Sequence, residues 1–473
     1  MATQSSPRET PRQNRGEDLS TLTPGRLTRD ELASLIRGGD IDTVIIAITD
    51  MQGRLQGKRV DGLFFLDELH DGVIEGCSYV LASDVDMQTV DGFALTSWER
   101  GYGDLAFKPD FSSIRRVPWH EGTAIIFGDV ETTAGDPVGP SPRQVLAHQV
   151  ERLDKRAWHG LTGTELEFIV FDDTYEQAWE SGYRHLSPVN QYNVDYSIQG
   201  TSRVEPLLGR IRRSMRAAGM VVESAKGECN FGQHEIAFMF DHLIDKCDEH
   251  GLFKLGAKEI AAQEGYSLTF MAKYNEREGN SCHIHISLRD RDNVAVFAGT
   301  GAHGFSAEFE HFLAGLIAYS RELSLLLAPN VNSYKRFVTG SFAPTALLWG
   351  LDNRTCAFRV VGHGPSLRVE CRVPGGDVNP YMAVAALVAA GLAGIDANLP
   401  LGEPFQGNAY VADAPRVPAT LHEAVELFAH SEVARRAFGD EVVDHYTRAG
   451  QVEVDTFNAA VTDWERYRGF ERL

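Results

Sequence analysis

The chain has 473 residues, 43% of them hydrophobic and 23% charged, which is enough for a large globular core with a smaller unit attached. A formal charge of −21 argues against a nucleic-acid backbone as partner, because such binders cluster Lys and Arg, and it suits a chain that holds divalent cations. Six cysteines, none in a CxxC pair, read as reduced thiols of a cytoplasmic protein rather than as a disulfide framework or a zinc site.

Residues 1–24 are rich in Ser, Thr, Pro, Arg and Gln and have no apolar signal core, so they read as a disordered leader. Residues 27–38 suggest a short helix, and residues 43–49, with Val44, Ile45, Ile46 and Ile48, a strand. Residues 50–59 form a Gly-punctuated hairpin that is most simply a solvated turn. Residues 84–119 read as irregular, residues 123–130 as a strand, and residues 131–140, with Gly135, Pro137, Gly139 and Pro140, as an interdomain linker. Ser141-Pro142-Arg143-Gln144 then combines an N-cap, a first-turn proline and a capping-box Gln. Ser202-Arg203-Val204-Glu205 does the same for a helix that places Leu208, Ile211 and Met215 on one face and closes at Gly219. The apolar run 381–395 is shorter than the roughly 18 to 20 residues a membrane span needs, and predicts a core helix with Asn379 as cap and Pro380 in the first turn.

Four segments carry chemistry. In Gly163-Thr-Glu-Leu-Glu-Phe-Ile-Val-Phe171, strand periodicity puts Glu165 and Glu167 on one face and Leu166, Phe168 and Val170 on the other. Taken alone, this is equally a solvated edge strand or a cation site, since an acid on so apolar a strand is costly to bury without a positive partner. The stretch 223–240 holds Glu228 and Glu235, and a hairpin through Gly232 would bring them together. Cys282-His283-Ile284-His285-Ile286 points two histidines one way, toward a metal or phosphate, or each merely satisfied within a core. In the fourth segment, Arg368, Glu370 and Arg372 form a charged row with an apolar back. Strands that each turn acids, histidines or arginines to one side describe a cavity floored by a sheet. Five carboxylates and a histidine suit Mg²⁺ or Mn²⁺ better than zinc or copper, and the arginines suit an anion. No GxxxxGK[ST] loop is present, so a nucleotide would be held by metals and arginines.

The segments Gly163-Thr-Glu-Leu-Glu-Phe168, Gly232-Gln-His-Glu235, Asn280-Ser-Cys-His-Ile-His285, Asn332-Ser-Tyr-Lys-Arg336, Ala343-Pro344, Asn353-Arg354, Arg368-Val-Glu-Cys-Arg372 and Asn379-Pro-Tyr381 resemble, in order and spacing, the bacterial-type glutamine synthetase family. The resemblance implies an α+β fold: an N-terminal β-grasp domain at 25–135 and a catalytic domain at 140–473 with a curved antiparallel sheet. It implies ring-stacked homo-oligomers, usually dodecamers, with active sites between subunits. It further implies ATP and two or more Mg²⁺ or Mn²⁺ ions per site. Glu167, Glu228 and Glu235 match the ligands of the first metal, and Glu165, His283 and Glu370 those of the second. Arg336 and Arg372 match the catalytic arginines on the glutamate carboxylates and transferring phosphoryl group. His285, Arg354, Arg359 and Arg368 match nucleotide-phosphate contacts. Gly279 falls in the glutamate-binding loop, where Glu278 replaces the usual Asn.

The resemblance departs from the family at the ammonia site. The family's acid six residues beyond the flap arginine is here Phe342, and its Phe-Asp-Gly-Ser-Ser segment corresponds to residues 78–83, with no acid before Asp84. Binding and deprotonating ammonium needs those charges, so the match is closest to γ-glutamyl-amine ligases, which join glutamate to a small amine. Residues 50–59 and 361–364 look most like the γ-glutamylethanolamide synthetase type among them. Phe342 and Tyr79-Val80-Leu81, the latter from a neighbouring subunit, are expected to line the amine pocket. The other readings are an ordinary glutamine synthetase, a γ-glutamyl ligase for polyamines, alkylamines or anilines, and a non-catalytic assembly protein.

Overall fold

The computed structural model describes residues 24–69 and 72–473; the leader expected at the N-terminus lies almost wholly outside them. A first sheet is built from β1 (Thr43–Thr49), β2 (Leu55–Asp61), β3 (Ile74–Cys77), β4 (Asp104–Pro109), β5 (Arg115–Arg116) and β6 (Thr123–Thr132). Its order is β2-β1-β6-β4-β3, with β5 also on β6, and only β1 and β6 run parallel. Strand alternation gives this sheet two apolar faces. Val44, Ile46, Ile48 and Ile126 pack under the Arg29–Gly38 helix through its buried Leu32 and Ile36, whereas Ala47, Ile125 and Phe127 join the larger core of the molecule.

The second sheet comprises β7 (Trp158–Phe171), β8 (Val222–Gly227), β9 (Gln233–Phe238), β10 (Asp241–His242), β11 (Ser267–Thr269), β12 (Cys282–Asp290), β13 (Trp349–Leu351), β14 (Phe358–Val361) and β15 (Arg368–Cys371). The order is β13-β14-β15-β12-β7-β9-β8, with β10 and β11 paired to β7. All pairs are antiparallel except β13 with β14. Behind it runs the Pro380–Asp396 helix, capped by Asn379 as its sequence predicts and buried along nearly its whole length. It crosses the Ala307–Tyr319 helix where Gly391, Gly394 and Gly315 let the backbones meet: a Cβ on Gly391 would lie 2.1 Å from the Phe312 ring. Among the described residues, no helix is long and apolar enough to cross a membrane.

Several local expectations fail for tertiary reasons. The turn after β1 is buried rather than solvated: Asp50 is 0% exposed and accepts from the Gln52 and Arg54 N–H groups, Arg54 Nε and Gln56 Nε2. Asn379 Nδ2 donates to the Asp50 and Met51 carbonyls, so this turn docks on the start of the core helix. The irregular stretch contains β4, a strand held by its pairing with β6 rather than by its own pattern. Residues 131–138 fold back on β6, where Val138 N–H donates to Val130 O, instead of forming a free linker. Ser141 makes no side-chain cap, and the adjacent Arg143 turns inward to Asp110, Asp129 and Asp248. The second helix begins at Glu205, because Ser202 is taken into a preceding short helix, Ile198–Ser202.

Candidate active site

The site is a row of charges laid across one face of the second sheet by strand register. β7 is a central strand, not an edge. Glu165 stands opposite His283 of β12, and Glu167 opposite Glu235 of β9. His285 stands opposite Glu370 of β15, Glu370 opposite Arg359 of β14, and Glu235 opposite Lys226 of β8. The tight return at Gly232, with φ 71°, brings Glu228 back beside Glu235. The alternate residues Leu166, Phe168, Ile236, Ile284 and Val369 are buried behind this row.

Glu167, Glu228 and Glu235 offer carboxylate oxygens within 4.8 Å of one another, as do Glu165, His285 and Glu370 with their own ligand atoms. His283 joins the Glu165 half, its Nδ1 3.4 Å from Glu165 and 3.6 Å from Glu370, and its buried Nε2 has no partner among the described residues. His285, placed by resemblance at the nucleotide phosphates, thus stands in the same cluster as Glu165, with Nε2 2.9 Å from the carboxylate. Arg368 Nε reaches His285 Nδ1 at 3.3 Å.

The two halves differ in electrostatics. Burial alone would raise Glu370, but His283, Arg372 and His285 hold it at about 2. Burial likewise opposes Glu165, yet its hydrogen bonds to His283 and His285 hold it well below the usual carboxylate range. On the other side burial and the neighbouring Glu167 carboxylate push Glu228 up to about 8, against the pull of Lys226. Burial and the charges of Glu165, Glu167 and Glu228 push Glu235 well above its ordinary value. Three converging hard oxygen donors, short of positive charge and countered by one lysine, fit a divalent cation. Glu167 is already oriented, accepting from Ser281 N–H at 2.7 Å and Gln233 Nε2 at 3.1 Å.

The arginines surround this floor. Arg336 is buried, its guanidinium fixed by the Val373 and Arg372 carbonyls and Ser281 Oγ. Gly279 backs it: a Cβ there would sit 2.1 Å from Ala272 O and 3.0 Å from Arg336 Cγ. Arg372 Nη1 and Arg359 Nη1 donate to the two oxygens of Glu370, at 2.5 and 3.0 Å. Arg359 continues to Asp352, which lies 4.0 Å from half-exposed Arg354 at the edge of an open cleft of about 570 Å³ lined also by Asn353 and Phe405. Phe342 is 55% exposed with φ 58°, on the loop beyond Arg336. Leu81 is fully buried in the first core, so it cannot line a pocket in a neighbour as expected; its 3-10 turn points it inward.

Sequence reading assigned no role to Lys226, Asp195 or Cys229. Lys226 pairs with Glu228 and Asp195, and Asp195, Glu228 and Cys229 converge in turn. Lys226 is visible only as the residue two before Glu228; the loop that brings Asp195 has no comparable signal.

Comparison with known proteins gives this sheet and site a family. The catalytic domain of glutamine synthetase matches residues 140–468. The gamma-glutamylethanolamide synthetase GlnA4 of Streptomyces coelicolor is 62% identical, covering 94% of this chain and 96% of its own. A glutamate–isopropylamine ligase of a Pseudomonas species is 36% identical over 93% and 97% of the two chains. The structure of a GmaS/ADP complex aligns with a TM-score of 0.82 at 27% identity, covering 93% of this chain and 99% of that one. The chain belongs to the glutamine synthetase family.

Proposed function

We propose that this chain is an ATP-dependent ligase joining the γ-carboxylate of glutamate to a small primary amine, with ethanolamine favoured. The observation that carries the reading is the 62% identity, over nearly the full length of both chains, to a gamma-glutamylethanolamide synthetase. The two domains are residues 25–135 and 140–473. Glu167, Glu228 and Glu235 hold one divalent cation, and Glu165, His283 and Glu370 a second, with His285 beside them. Bound Mg²⁺ or Mn²⁺ neutralises phosphate charge and polarises the transferring group. Arg354, Arg359 and Arg368 hold nucleotide phosphates, and Gly279, Arg336 and Arg372 hold glutamate and the phosphoryl oxygens as charge develops there.

A γ-carboxylate oxygen attacks the terminal phosphorus of ATP and ADP leaves; the amine nitrogen then attacks the acyl carbon, phosphate leaves, and the nitrogen loses a proton. Phe342, in place of an acid, gives ammonium no charge to meet, while each methylene of a substituted amine buried there gains about 0.8 kcal/mol. Glutamate and the amine are the small-molecule partners, and the working unit is a cytoplasmic homododecamer with sites between subunits.

The test is phosphate release from ATP with glutamate and an amine panel. Ethanolamine should exceed ammonia at least about tenfold in kcat/KM, equivalent to about 1.4 kcal/mol. Phe342→Glu should narrow that ratio. Equal or better use of ammonia by the unmodified enzyme would restore an ordinary glutamine synthetase.

A further inference from the structure

Tyr410 is a large side chain that the roles above leave unused. It sits on the 3-10 turn Ala409–Val411 and is 7% exposed, and its buried hydroxyl has no hydrogen-bond partner among the described residues. The turn is pinned through its backbone. Asn408 Oδ1 accepts from Tyr410 N–H, Thr355 Oγ1 accepts from Ala409 N–H, and Arg416 donates to the Tyr410 carbonyl. Asn353 and Thr355 also donate to the Gly407 carbonyl, tying the segment to the connection that carries Arg354. The ring is therefore placed without help from its own hydroxyl.

That hydroxyl lies within electrostatic range of the Arg372 and Arg336 guanidiniums. Arg372 Nε is also buried and unpaired among the described residues, although its Nη1 is engaged by Glu370. Two buried donors left open beside one pair of cations are unfavourable until an acceptor arrives, and an anionic oxygen satisfies both.

We propose that Tyr410 is a substrate-contacting residue whose hydroxyl donates to the anionic oxygen held by Arg336 and Arg372, that of glutamate or of the phosphoryl group it receives. This rests on the ligase reading. Tyr410→Phe in the full chain keeps the ring and deletes only the donor. Ligand-free Tm should be unchanged, because no internal hydrogen bond is lost, while kcat/KM for glutamate should fall about ten- to a hundredfold, with KM for ATP within twofold. A loss in glutamate KM assigns the contact to the substrate carboxylate; a loss in kcat assigns it to the transferring phosphoryl group. Glutamate kcat/KM within twofold of the parent overturns the proposal and leaves the ligase reading standing. So does a ligand-free Tm lowered by more than about 3 °C, which marks a structural hydrogen bond. A parent enzyme that releases no phosphate with glutamate and any amine sinks both.

Discussion

Stripping divalent cations should make the folded chain lose stability between pH 7 and pH 8. In the unfolded chain Glu228 and Glu235 ionise near 4.5; in the folded chain burial and neighbouring carboxylates hold Glu228 protonated to about 8 and raise Glu235 as well. Across this window the folded state keeps protons that the unfolded state has released, so stability falls as pH rises. One full proton of difference is worth about 1.4 kcal/mol per pH unit, and Glu228, part-way through its titration, costs about 1 kcal/mol across the window, with raised Glu235 acting in the same direction. For a chain of 473 residues the unfolding entropy is about 1 kcal/mol per degree, giving a Tm drop on the order of 1 °C.

Buried Lys254, held down to about 8 by burial, titrates in the same window with the opposite sign and offsets part of the fall, whereas the other groups of the cluster do not intrude. Glu165 and Glu370, held low, lose their stabilising effect only as pH falls below their unfolded value of 4.5. Buried His283, held low, adds stability as pH rises only to about 6.5 and is spent above it. The assay is a thermal melt in chelator and in saturating Mn²⁺ at both pH values. A cation at a hundred times its Kd adds about 2.7 kcal/mol and should erase the slope, and Glu235→Gln should reduce it in chelator. A Tm in chelator that is flat or rises from pH 7 to pH 8, with no added effect of metal, would refute the electrostatic account of this cluster.

Arg143 ties the first sheet to the second part of the chain through Asp110, Asp129 and Asp248. Arg143→Met should destabilise by about 3 to 5 kcal/mol, because it strands fully buried Asp248; adding Asp248→Asn should recover part of that in denaturant titrations, and additive losses would count against the coupling. Arg336→Lys loses the planar hold on the Val373 carbonyl and Ser281 Oγ. It should lower kcat at least about tenfold with little change in glutamate KM, a loss of the size expected for one preorganised donor; a change confined to KM would contradict a transition-state role.

Much of the candidate site could be read along single strands. Glu165 with Glu167, His283 with His285, and Arg368 with Glu370 and Arg372 are pairs and triples at period two, where alternation alone sends polar groups to one face and Leu166, Ile284 and Val369 to the other. The Pro380–Asp396 helix was equally legible, since its cap, proline and apolar run are contiguous. What alternation cannot supply is which strands are neighbours and in what register. Only pairing sets Glu167 against Glu235 and Glu370 against both His285 and Arg359, and so decides that one half of the row is neutralised while the other still lacks positive charge. The buried turn at Asp50, the inward Arg143 and the lysine beside Glu228 belong to the same class. Each looks solvated by itself: the first two are buried because partners more than 100 residues away meet their hydrogen bonds and charge, and half-buried Lys226 is set opposite Glu235 by strand pairing.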